Sequence, residues 1–146
     1  IDQYISAGHD TSGAFITKTA YVHPNAAYTL YTSAEDYARF ISSILNAGVL
    51  QQQSIDEMLK RQILVSVREP IDRPGRAFSL EAYWGLGWGI NSTINEDIYY
   101  HNGSNETGFR CYSQFSTFSK TGMVIMTNGL NGEKLWEEII RELGDY

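Results

Sequence analysis

Asp97-Ile98-Tyr99-Tyr100-His101-Asn102-Gly103-Ser104-Asn105-Glu106-Thr107-Gly108-Phe109-Arg110-Cys111-Tyr112-Ser113-Gln114-Phe115 is the stretch that decides the fold. Aromatic and β-branched residues crowd both ends of it, and the centre holds the glycine and asparagine of a chain reversal. Two strands folded back on each other follow from that pattern. Working outward, residues 83–90, 97–101, 108–118 and 123–127 all read as strands separated by turn residues, which makes an antiparallel sheet. Ser119-Lys120-Thr121-Gly122 is compact enough to close the last hairpin, and residues 128–132 make the next turn. Beyond them Leu135, Trp136, Ile139, Ile140 and Leu143 define an apolar helical face suited to packing on the sheet.

Upstream the period changes. Ser33 with Asp36 predicts a helix start, with Glu35 and Asp36 at its positive end and Tyr37, Phe40, Ile41, Ile44 and Leu45 in one stripe that Gly48 ends. Ser54 with Glu57 predicts a second, short helix through Ile55, Met58 and Leu59. Residues 1–30 read as loop, and residues 69–76, with Pro70, Pro74 and Gly75, as a polar connection. The expected class is therefore α+β. A helical and loop portion at 1–82 precedes an antiparallel sheet with its C-terminal helix at 83–146, both parts of one larger domain.

The 146 residues carry 11 Lys plus Arg against 17 Asp plus Glu, a formal net charge of −6. No basic block is present to meet a phosphate backbone, so nucleic acid is not expected as a partner. No apolar run approaches the roughly 20 residues that span a bilayer. Cys111 is the only cysteine, and His9, His23 and His101 lack the spacing of a zinc helix, so neither metal nor cofactor is expected. In its predicted strand, Cys111 reads as a buried core residue.

No Gly-x-Ser-x-Gly and no Ser-x-x-Lys occurs anywhere in the chain. Thr117-x-x-Lys120 is the nearest miss and belongs to a strand end. Two literal matches, Lys120-Thr121-Gly122 in a hairpin turn and Tyr100-His101-Asn102 at a strand end, are set aside as active-site boxes. The segment 101–110 combines in order with residues 32–40, with Gly85-Leu86-Gly87-Trp88-Gly89 and with Met123-Val124-Ile125-Met126-Thr127-Asn128-Gly129. Gly85, Gly87 and Gly89 read as alternating along one strand face, with no catalytic part.

In that order these four motifs resemble the C-terminal half of the β-lactamase-related serine hydrolases. That group contains class C β-lactamases, D-alanyl-D-alanine carboxypeptidases and related esterases. The resemblance implies a part of a β-lactamase/transpeptidase-like fold and acylation chemistry on a β-lactam, a D-alanyl peptide or a small ester. It places His101 where many relatives carry the lysine of Lys-Thr-Gly, offering hydrogen bonds to a substrate or to a catalytic tyrosine. It gives Gly103 to close approach of a substrate backbone, the backbone N–H of Ser104 to an oxyanion hole, and Asn105 to a substrate polar group. Of the compartments the residues leave open, periplasmic, secreted or cytoplasmic, the resemblance favours the first two. The plain alternative is that Asn102-Gly103 is an ordinary hairpin turn.

The family nucleophile lies in a Ser-x-x-Lys that these residues do not contain, and a serine without an adjacent base is a poor nucleophile. Ile1 in place of Met adds the expectation of upstream polypeptide. The expected partner is accordingly a missing N-terminal half, or a second copy that covers the open sheet edge. A binding or scaffolding module that kept the fold without the chemistry is the alternative.

Overall fold

The computed structural model describes residues 4–18, 21–67 and 79–143. The polar connection expected at 69–76 lies outside the described residues. A two-stranded piece comes first, β1 (Gly8–His9) with β2 (Phe15–Ile16), followed by helices α1 (Ala34–Leu45) and α2 (Gln52–Leu59). Six strands then run as an antiparallel meander in chain order: β3 (Ile63–Val67), β4 (Ser79–Trp84), β5 (Gly89–Thr93), β6 (Asp97–Ser104), β7 (Arg110–Ser116) and β8 (Gly122–Thr127). Helix α3 (Gly132–Leu143) ends the chain. This is the α+β layout expected, with the sheet between two helical layers.

Alternation along β6 and β7 sorts the two faces. Tyr99 and Phe115 stack at 5.3 Å, and Trp88 meets Phe115 edge-on at 4.9 Å. With Ile90 they form a core with Ile41 and Ile44 of α1 and Ile55 and Leu59 of α2. Neighbours one position along face the other way: Tyr100 stacks on Tyr112, and Tyr112 on Trp136 of α3 at 4.9 Å. Burying such aromatic pairs contributes beyond area alone, about 0.5–1.5 kcal/mol per pair.

Several boundaries differ from expectation for identifiable reasons. The run 83–90 is two strands, because Gly85 N–H donates to the Trp88 carbonyl at 2.8 Å and Gly87 holds φ 82°. A positive φ is open to glycine, so Gly85 and Gly87 serve a turn and do not share a strand face with Gly89. Ser33 caps α1 by accepting from the Asp36 N–H at 3.1 Å, but Ser54 lies inside α2, whose N-cap is Gln51 with no side-chain bond. The sheet begins upstream of residue 83, with β3, a short apolar run of the kind that carries no period of its own, and with β4 from Ser79. Leu135 is 53% exposed; α3 packs through Trp136 and the buried Ile140 instead.

Residues 7–11, expected as loop, form a strap. His9 N–H donates to the Asn128 carbonyl at 2.8 Å, and Leu130 N–H donates to the His9 carbonyl at 2.9 Å. The Asn128 and Asn131 side chains donate to the Ala7 and Thr11 carbonyls. Two-residue strands held by asparagine side chains leave no hydrophobic period in the sequence to find.

Candidate active site

β6 runs to Ser104, three residues beyond its expected end, so Asn102-Gly103 is not a hairpin turn: Asn102 pairs with Tyr112 and Gly103 with Cys111. The reversal comes later, at residues 105–109. Its sequence signal is Asn105, whose side-chain oxygen accepts from the Thr107 N–H at 3.2 Å, the Thr107 hydroxyl at 2.6 Å and the Phe109 N–H at 3.3 Å. That Asx arrangement, with Gly108 at φ 93°, makes the turn.

His101 lies on the face of Tyr99 and Phe115, past the point where the core closes, and it is exposed. Its ring sits edge-on to Trp84 at 5.9 Å and to Trp88 at 6.5 Å. Among the described residues its imidazole meets no hydrogen-bond donor or acceptor. Behind it, Ser113 Oγ donates to the His101 carbonyl at 3.3 Å, and the Tyr37 hydroxyl of α1 lies close to the Ser113 side chain. Burial holds Tyr37 above the usual phenol range, with the Ser113 side chain pulling the other way. The sequence reading does not bring Trp84, Trp88, Tyr37 or Ser113 to His101; it weighs Trp84 and Trp88 only as part of a carbohydrate-binding surface. Strand register brings Trp84 and Ser113 there, the Gly85–Trp88 turn brings Trp88, and the packing of α1 on the sheet brings Tyr37.

The hydrogen-bonding sense of β6 follows from the bonds that close its two hairpins. Thr93 N–H donates to the Glu96 carbonyl at 3.0 Å, so with the observed register the 91/98 and 89/100 pairs are the hydrogen-bonded ones. Tyr100 therefore bonds toward β5, and Asn102 and Ser104 point to the same side. Independently, Asn105 N–H donates to the Phe109 carbonyl at 3.4 Å, which sends Gly103 toward β7 and Ser104 away from it. β5 pairing stops at Gly89, opposite Tyr100. The N–H groups of Asn102 and Ser104 thus lie along an open edge that neither β5 nor β7 takes up. The Ser104 side chain projects to the α3 face, opposite His101, so this residue offers its backbone and not its hydroxyl on the His101 side.

Gly103 shares the His101 face. A Cβ built there would lie 2.7 Å from Cys111 Sγ, so the sulfur occupies room that the glycine leaves. Cys111 is exposed, contrary to the buried reading, because it pairs with Gly103 beyond the Tyr99–Phe115 part of the core. Around the sulfur itself, desolvation still pushes the thiol up, against a downward pull from the Gly103 backbone. A thiol held protonated is a weak nucleophile.

A cavity of about 500 Å³ lies between α1, α2 and the far end of β6, lined by Ile44, Leu59, Asp97 and Tyr99 among others. A second, of about 230 Å³, lies between α1 and β8. His101 lines neither. Among the described residues no cluster of His, Cys, Asp and Glu is placed to hold a metal, and no helix is long and apolar enough to cross a membrane.

A family model described as Beta-lactamase matches residues 2–145. No curated protein matches the chain.

Proposed function

The chain belongs to the beta-lactamase family, and from that premise we propose that it supplies one wall of a serine acyl-hydrolase site, acting on an amide or ester such as a β-lactam, a D-alanyl peptide or a small ester. The observation that carries this reading is the corner at the end of β6. There the His101 imidazole rises from one face, and the Ser104 N–H lies on the unpaired edge beside it.

Acyl transfer places negative charge on the carbonyl oxygen as the tetrahedral intermediate forms. A backbone N–H fixed in a strand and not spent on sheet pairing is suited to stabilise that charge, at about 3–4 kcal/mol per donor in related chemistry. His101, whose imidazole can donate from one ring nitrogen and accept at the other, hydrogen-bonds the substrate or a catalytic hydroxyl. Gly103, with Cys111 Sγ beside it, bounds how closely a substrate backbone approaches. Asn105 spends its side-chain oxygen on the turn and keeps its amide N–H groups for a substrate polar group.

The nucleophile is assigned to polypeptide outside these 146 residues, because no Ser-x-x-Lys occurs within them. On this reading the chain is the C-terminal part of the complete site, and it has no turnover alone. The same absence favours a second reading, a binding module of this fold without chemistry. Treating this chain and the full-length gene product with a fluorophosphonate probe and a chromogenic cephalosporin tests both. Labelling or turnover by the full-length product only is expected. Labelling of the 146 residues alone contradicts the assignment of the nucleophile, and a full-length product that neither labels nor turns over contradicts the hydrolase reading.

A further inference from the structure

The turn that follows Ser104 is bridged by a guanidinium, that of Arg110 at the start of β7, whose placement the acyl-site chemistry leaves unexplained. Arg110 faces Ser104 across β6 and β7, in a pair that the hydrogen-bond alternation leaves without mutual backbone bonds. Its side chain is only 13% exposed. Nη1 donates to the Asn105 carbonyl at 2.5 Å and to the Phe109 carbonyl at 2.9 Å, at the two ends of the turn. Nε lies 3.2 Å from Glu133 Oε1 in the first turn of α3, an ion pair whose angle is not that of a hydrogen bond. The helix is fixed to the same place from its own side. A Cβ on Gly132 would lie 2.9 Å from Arg110 Cβ, and Thr127 Oγ1 donates to the Arg110 carbonyl at 3.1 Å.

We propose that Arg110 is a positioning residue of the acyl site: by tying both ends of the 105–109 turn to α3, it sets the direction in which Ser104 presents its N–H at the open edge of β6. The inference rests on the function proposed above. No sheet bond orients that N–H, so its direction follows from the anchoring of its neighbours. Gly103 is held by the pair with Cys111, and Asn105 by its bond to Phe109 and by the guanidinium on its carbonyl. A planar fork serves two carbonyls and a carboxylate at once, which a lysine ammonium at the end of a flexible stem does not reproduce. On the opposite side of the turn, a Cβ on Gly108 would lie 2.7 Å from the His9 nitrogen, so the strap blocks relaxation that way.

The test uses the full-length gene product with p-nitrophenyl butyrate as substrate, together with the Ser104 amide resonance in an ¹⁵N spectrum. Arg110→Lys is expected to lower kcat about tenfold or more with KM within about twofold, and to shift the Ser104 resonance. Arg61→Lys, the same exchange at the other end of β6, leaves both unchanged. A folded Arg110→Lys with wild-type kcat and an unmoved Ser104 resonance overturns the proposal. If that variant does not fold, Glu133→Gln decides, since it keeps the guanidinium and loosens its anchor: a partial loss of kcat with a Ser104 shift supports the proposal, and no change in either overturns it. A wild-type protein inert toward the ester, the chromogenic cephalosporin and the fluorophosphonate probe alike refutes the hydrolase reading, and the Ser104 resonance then still decides whether Arg110 positions that amide.

Discussion

Lys120 Nζ donates to the Leu45 carbonyl at 2.9 Å, so a lysine in the β7–β8 turn supplies the cation that the last turn of α1 lacks. Lys120 sits at φ 59°. A non-glycine residue there is uncommon, and the contact to the negative helix end gives this one a structural purpose. Lys120-Thr121-Gly122 therefore spells a catalytic box and performs a helix-capping task. Lys120→Met is expected to cost about 0.3–1 kcal/mol in urea denaturation, from loss of a single exposed contact to a helix end, with no change in acyl-hydrolase activity of the full-length product. A large loss of activity would return this triplet to the site.

The two serines that begin predicted helices separate cleanly. Ser33→Ala is expected to destabilise by about 1 kcal/mol, since it removes the acceptor for the Asp36 N–H. Ser54→Ala, inside α2 and capping nothing, is expected to change stability by less than about 0.5 kcal/mol. Chemical denaturation of both variants checks the contrast.

Gly103 and Cys111 are coupled through space. Gly103→Ala drives a methyl to 2.7 Å from Cys111 Sγ and is expected to destabilise the protein by about 1–3 kcal/mol. Cys111→Ala opens that room, so the double variant should recover most of the loss, measured as a double-mutant cycle. Additive effects would mean the sulfur is not what Gly103 accommodates.

Asp10 holds its turn by accepting from the Ser12 hydroxyl and N–H and the Ala14 N–H, and these bonds, the Ser12 side chain first, hold its carboxyl below the usual value of 3.8. A carboxylate whose folded pKa is depressed stabilises the fold above its unfolded value, and that stabilisation disappears as pH falls through the folded value. The β1–β2 turn is therefore expected to loosen below about pH 3.8, seen as faster amide exchange at Ser12 and Ala14. In Asp10→Asn that pH dependence should be absent.

The fold was legible where side chains carry a period. The α1 stripe, the β6–β8 strands and α3 follow from Tyr37 to Leu45, from the aromatic alternation and from the Trp136–Ile140 face. Boundaries set by backbone hydrogen bonds were not legible: the Gly85–Trp88 turn, the strap at His9 and the extension of β6 to Ser104 depend on register. The candidate site divides the same way. His101 and Gly103 stood out as residue types, whereas Ser113 and Trp84 come to His101 and Arg110 comes to Ser104 only through pairing across strands, and Trp88 only through the turn it closes, which no local pattern encodes.

His101→Ala in the full-length gene product is the most direct test of the acyl-site assignment, measured as kcat/KM on p-nitrophenyl butyrate beside a thermal unfolding curve. The imidazole is exposed and lies at the margin of the core, so the fold should be little affected. We expect kcat/KM to fall at least about 10²-fold with unfolding nearly unchanged. A folded variant that retains the wild-type rate would contradict the account.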